Sequence, residues 1–136
     1  MKNVVSILSV SLLVLFVSCK KTPSNEIANE LKETADSINK VTPQEINEGV
    51  RLDFASVDDE KTMHYHYTLT LDDPKNTDAA YYENSKPLLK KEMIELIKTS
   101  PDLEDLRKQN VTFKYSYQDI NKKPVLELVI TPKDYQ

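Results

Sequence analysis

Apolar positions follow three patterns along this chain. Residues 4–17 form a run with no charge, broken only by three serines. Residues 25–40 keep a helical spacing. Ile27, Leu31, Ala35 and Ile38 recur every three or four positions and stack on one face. Ser24 or Asn25 can cap this helix, and Pro43 prevents its extension. The period then becomes two. Val50, Leu52 and Phe54 alternate with Arg51, Asp53 and Ala55. After Asp58-Asp59-Glu60-Lys61, the residues Met63, Tyr65, Tyr67, Leu69 and Leu71 alternate with His64, His66, Thr68 and Thr70. The short polar break between these two strands predicts an antiparallel hairpin.

Asp72-Asp73-Pro74 ends that hairpin, and residues 77–84 fit either a loop or the start of a helix. Ser85 before Lys86-Pro87 reads as a cap and first turn. Leu89, Met93, Leu96 and Ile97 then form an apolar stripe, and Ser100-Pro101-Asp102 restarts a short helix carrying Leu103 and Leu106. Two further strands close the chain. Val111, Phe113, Tyr115 and Tyr117 alternate with polar residues, and Leu126, Leu128 and Ile130 alternate with Val125, Glu127 and Val129. The predicted class is α+β, an antiparallel sheet of about four strands in two hairpins with helices on one face. The predicted order is α-β-β-α-(α)-β-β.

The N-terminal run has a different meaning. At about 1.5 Å rise per residue, residues 4–17 span roughly 21 Å, short of a hydrocarbon core of about 30 Å. With Lys2 before it, the run matches the apolar core of a secretory signal. It ends Leu15-Phe16-Val17-Ser18-Cys19, which resembles the lipobox of bacterial lipoproteins, although Phe16 stands where leucine is usual. The resemblance covers the signal and Cys19 only. It implies that diacylglycerol is joined to the Cys19 thiol, that cleavage frees Cys19 as the new N-terminus, and that its amino group is then acylated. Lys20 is not the aspartate that favours inner-membrane retention in enteric lipoproteins, and residues 20–23 lack an acidic surface-export pattern. The resemblance therefore implies the periplasmic face of the outer membrane. The expected organisation is a signal peptide over 1–18, a lipidated cysteine and tether over 19–25, and one α+β domain over 26–136.

Composition narrows the function. Cys19 is the only cysteine, so no intrachain disulfide exists and acylation accounts for the odd thiol. Loss of Lys2 with the signal takes the formal charge from −4 to −5, which argues against nucleic acid as a partner. Gly49 is the only glycine, which excludes glycine-rich phosphate loops and suits a positive φ after residues 44–48. No G-x-S-x-G or H-E-x-x-H motif is present, so no catalytic residue and no enzyme are predicted. His64 and His66 share one strand face, and Asp53 stands on the neighbouring strand. Two imidazoles fall short of the three or four ligands zinc takes, so neither metal nor cofactor is predicted. Tyr65, Tyr67, Tyr115 and Tyr117 occupy core-facing positions. Tyr81 and Tyr82, near a loop, are the candidate contact surface. The reading is a membrane-anchored interaction or accessory module with a protein partner. The size class includes pilot-like helpers of secretion and immunity or inhibitor lipoproteins. The second reading is a small-ligand or metal binder using the tyrosines or the His64/His66 pair.

Overall fold

The computed structural model describes residues 23–71 and 78–136. The signal segment, Cys19 and the Asp72–Asn76 turn lie outside the described residues. The elements are α1 (Pro23–Asn39), β1 (Gln44–Asn47), β2 (Val50–Asp59), β3 (Thr62–Leu69), α2 (Ala79–Thr99), a 3-10 turn (Pro101–Leu103), α3 (Glu104–Lys108), β4 (Thr112–Gln118), β5 (Pro124–Ile130) and α4 (Pro132–Tyr135). Among the described residues no helix is long and apolar enough to cross a membrane.

The class is α+β as expected, but the sheet differs from the prediction. It has five strands in the order β1-β2-β3-β4-β5, and β3 pairs with β4 in parallel, so the sheet is mixed. The two hairpins join through their inner strands. The passage through α2 and α3 carries the chain back to the starting end of β3, which makes the second hairpin enter parallel to it. The missed strand, β1, is exposed along its whole length, so no alternation betrays it. A two-residue turn joins it to β2, with Gly49 at φ +79° as the sequence suggests. A Cβ on Gly49 would lie 2.8 Å from the side chain of Leu71, which is exposed beyond the end of β3 rather than facing inward.

A bulge at Asp53 corrects the reading of β2. Leu52 pairs with Tyr67, but Phe54 pairs with His66, so one residue is inserted and the later side chains swap faces. Ala55 becomes buried and Phe54 turns outward, 47% exposed. The inner face then runs in register across β2, β3, β4 and β5, through Ala55, Tyr65, Tyr115 and Leu128. Four tyrosines stack along it, with ring centroids 5.3 Å apart for Tyr65–Tyr115 and 4.9 Å for Tyr67–Tyr117. Burial raises their hydroxyl pKa values, to about 12 for Tyr65 and for Tyr117.

The helices cover this face. Leu31 and Ala35 of α1, Ile97 of α2, Leu106 of α3 and Tyr135 of α4 share one core with Met63, Phe113 and Ile130. Of the predicted α2 stripe, Leu89, Met93 and Ile97 pack into the core, whereas Leu96 is exposed and Ile94 packs inward. α2 also begins earlier than expected, capped by Asp78, whose side chain accepts the N–H of Ala80 at 3.2 Å. Ala79 and Ala80 favour this start, and Pro87 lies inside the helix. Arg107 donates from Nη1 to the carbonyls of Ile97 (2.5 Å) and Ser100 (2.6 Å), which closes the far end of α2.

Asn39, the last residue of α1, finishes the edge of β2. β1 pairs only with residues 50–52, so the outer backbone groups of Ala55 have no strand beside them. Asn39 replaces that strand: its Oδ1 accepts the Ala55 N–H at 2.8 Å, and its Nδ2 donates to the Ala55 carbonyl at 2.9 Å. Replacing Asn39 by alanine is expected to cost about 1–3 kcal/mol, because two buried backbone groups lose their partners. Urea denaturation measures this. Unchanged stability would show that water replaces the side chain at no cost.

Candidate functional site

Two regions combine recess and chemistry. The first lies between α2 and the β1–β3 side of the sheet. Because α2 starts at Ala79, its first turn carries Tyr81 and Tyr82, and both side chains line this groove. The two rings meet edge to face, with centroids 5.5 Å apart. Tyr82 is buried, whereas Tyr81 is 62% exposed. They border a groove of about 300 Å³ that includes Ile46, Val50, Leu69, Leu89 and Met93. Ile46 and Tyr81 leave apolar surface in water at this groove, which costs free energy that an apolar occupant would recover. Tyr67 and Tyr117 also line it, so the tyrosine ladder is partly core and partly wall.

The second region is the sheet face opposite the helices. Here the predicted polar positions form a connected network. The Asp53 side chain, in the bulge, accepts from Arg51 Nε at 2.7 Å and from Thr68 Oγ1 at 2.6 Å. Its hydrogen bonds therefore go to Arg51 and Thr68, and it acts on His66 through charge alone. The carboxylate bonded to His64 is that of Asp58, at the end of β2. Its carboxylate lies 2.9 Å from His64 Nδ1 through Oδ1 and 2.8 Å through Oδ2. His64 Nε2 lies 2.7 Å from Ser116 Oγ. Ser116 Oγ also approaches Glu127 Oε2 at 3.3 Å, while Lys114 Nζ sits 3.6 Å from Asp58 and 3.4 Å from Glu127. His66 Nε2 lies 2.9 Å from Ser56 Oγ, and its ring is layered between Phe54 (4.1 Å) and His64 (3.8 Å). Instead of standing in solvent, His64 is only 7% exposed. Among the described residues no group of three or more His, Cys, Asp or Glu is placed to hold a metal ion.

The register assembles this cluster from four strands, β2 to β5. His64 faces Ser56 on β2 and Lys114 on β4, and Ser116 lies one step further along β4, beside His66. Sequence reasoning identified the two histidines but missed Asp58 and Ser116. Asp58 reads as a turn residue, and Ser116 lies 52 positions from His64, a distance no local motif spans. A second recess, of about 500 Å³, has Phe54, His66, Ser116, Gln118 and Glu127 in its wall, with Glu83 and Lys86 of α2.

Charge balance on this face makes stability depend on pH. Burial opposes ionisation of Asp58, but the hydrogen bond and charge of His64, with Lys114, outweigh it and hold the carboxyl below its ordinary range. Burial also holds the His66 pKa below the ordinary value. His64 and Lys114 add to that effect, and Asp58 and Asp53 oppose it. The unfolded chain thus binds the His66 proton more readily than the folded one. The contribution of His66 is complete above the unfolded imidazole pKa of about 6.5 and is lost as pH falls below it. Asp58 adds a loss at lower pH, below the ordinary carboxylate value. Thermal melts between pH 8 and pH 5 are expected to fall with acid, and His66→Gln to flatten the slope. An equal slope in that variant would contradict the account.

Comparison with known proteins agrees with this fold. A Pseudomonas aeruginosa protein described as secreted superposes with a TM-score of 0.67 at 14% identity, covering 84% of this chain and 96% of its own. The type 2 secretion system pilotin EpsS of Vibrio vulnificus matches with a TM-score of 0.64 at 6% identity, covering 84% of this chain and 96% of its own. The type 2 secretion system pilotin AspS of Vibrio cholerae matches with a TM-score of 0.60 at 9% identity, covering 82% and 94%. At these identities the likeness is one of fold. No curated protein matches the sequence. A family model described as a domain of unknown function, DUF8479, matches residues 26–127, and the chain belongs to that family.

Proposed function

We propose that this protein is an exported, lipid-anchored docking module that holds an apolar segment of another envelope protein in the groove between α2 and the β1–β3 side of the sheet. The carrying observation is the groove itself, about 300 Å³ with Tyr81 and Ile46 exposed at it. Apolar surface on a chain otherwise rich in charge marks an interaction site. Its occupant is the apolar face of a partner helix or strand, flanked by basic residues that suit a mature chain of formal charge −5. The signal-like residues 4–17 and Cys19 support a tether that confines the search for this partner to one membrane. Two fold neighbours are named as pilotins of type 2 secretion systems, which supports a partner in an assembly of that kind.

The test is photocross-linking in the cells that make the protein, with a photoreactive phenylalanine analogue at Tyr81. The expected result is one discrete adduct with an envelope protein. It should be absent when the analogue stands at Lys122, in the β4–β5 turn, and lost when Met93→Glu puts charge into the groove. Identical adducts from both positions, or none from Tyr81, would contradict the docking role.

A further inference from the structure

The polar sheet face holds an arrangement that the docking role does not use. A carboxylate, an imidazole and a hydroxyl are aligned in sequence: Asp58, His64 Nδ1, His64 Nε2, Ser116 Oγ, with contacts of 2.8–2.9 Å and 2.7 Å. Such constellations are recognised by geometry, whatever fold carries them. The carboxylate can only accept, so in neutral His64 the proton lies on Nδ1. Nε2 is then a bare acceptor, and the 2.7 Å contact requires the Ser116 hydroxyl to donate to it. The 3.3 Å contact with Glu127 is the longer of the two competing acceptors. His64 is buried, hydrogen-bonded at both nitrogens and packed at a tilt against His66, so its ring is held in place. Ser116 is only half-buried and lies in the wall of the 500 Å³ recess.

We infer that Ser116 is a nucleophile, with His64 as its general base and Asp58 as the residue that orients His64, and that the recess admits small carboxylic esters with an apolar group. In the reaction, Ser116 Oγ bonds the ester carbonyl carbon as its proton passes to His64 Nε2. The ester C–O bond then breaks, and His64 returns the proton to the leaving alkoxide. Water, activated by His64 in the same way, releases the acid and restores the serine. Gln118, two residues further along the same face and in the same wall, offers a donor for the oxyanion. Its Nε2 gives one hydrogen to Thr68 Oγ1 at 3.1 Å and carries a second. Phe54 supplies apolar wall for the substrate.

The test uses the full-length protein, purified from membranes in detergent, with a fluorophosphonate probe and p-nitrophenyl acetate. Attack on the probe forms a P–O bond at Ser116 Oγ and expels fluoride. The expected result is a single adduct mapped by mass spectrometry to Ser116. It should be absent in Ser116→Ala and formed at least about 100-fold more slowly in His64→Gln, the scale of a lost general base. Asp58→Asn should lower kcat for the acetate with little change in KM, because an amide at that position can turn the imidazole to the wrong tautomer. Circular dichroism melts establish that each variant is folded. No adduct at Ser116 in folded protein, or equal labelling of wild type and His64→Gln, would overturn the proposal.

Discussion

Replacing Phe113 by alanine is expected to lower the unfolding free energy by about 3–5 kcal/mol, the usual cost of emptying a large aromatic site in a core. Phe113 is fully buried, 0% exposed, at the start of β4. It pairs with Met63 on β3 and Ile130 on β5, so strands flank it on both sides. The ring of Tyr135 closes over it edge to face at 5.9 Å, and the Tyr135 hydroxyl donates to the Val111 carbonyl at 2.6 Å. That hydrogen bond, with the capping box of Thr131 and Asp134, keeps α4 from moving into the space left behind. Val129→Ala, on the polar face of β5, should change stability by no more than about 0.5 kcal/mol. Urea titrations of the two variants provide the check. Similar losses would mean that the core is not on the helix side of the sheet.

Asp119→Ala is expected to cost about 2–3 kcal/mol, through a different mechanism. Asp119 is buried in the turn between β4 and β5, and its Oδ1 accepts the backbone N–H of Asn121 at 2.8 Å and of Lys123 at 2.9 Å. Its own N–H and carbonyl bond Lys123 and Lys122. The side chain thus organises a turn in which Lys122 takes φ +65°, a conformation that is costly outside glycine. Alanine removes the acceptor and leaves two donors without it. Asp119→Asn keeps a neutral acceptor and should lose less than half as much. Hydrogen exchange at Asn121 and Lys123 distinguishes a local opening from global unfolding. Full protection in Asp119→Ala would contradict this role.

These sites differ in how far the sequence revealed them. Strict alternation over residues 63–69 and 111–117 predicted which side chains of β3 and β4 turn toward the helices, and hence Phe113, although only β4 alternates in burial and β3 is buried on both faces. The same logic failed at Phe54, because a single inserted residue at Asp53 reverses every face after it, and composition does not mark a bulge. β1 has no buried face to leave a pattern. The parallel pairing of β3 and β4 depends on how a long crossover returns, which neither strand encodes locally. The groove was legible only through Tyr81 and Tyr82, and their assignment to a helix awaited Asp78 as its cap. Asp58 and Ser116 became visible as a pair only once three strands were in register.

The docking role is proposed for a chain held at a membrane through Cys19, so the anchor is the central claim. Its most direct test is intact mass spectrometry of the protein extracted from its own membranes, beside a Cys19→Ala variant. The account predicts a chain that begins at Cys19 and carries acyl mass, with both the mass and membrane association lost in the variant. A wild-type chain with an unmodified Cys19 thiol, wherever it begins, would contradict it.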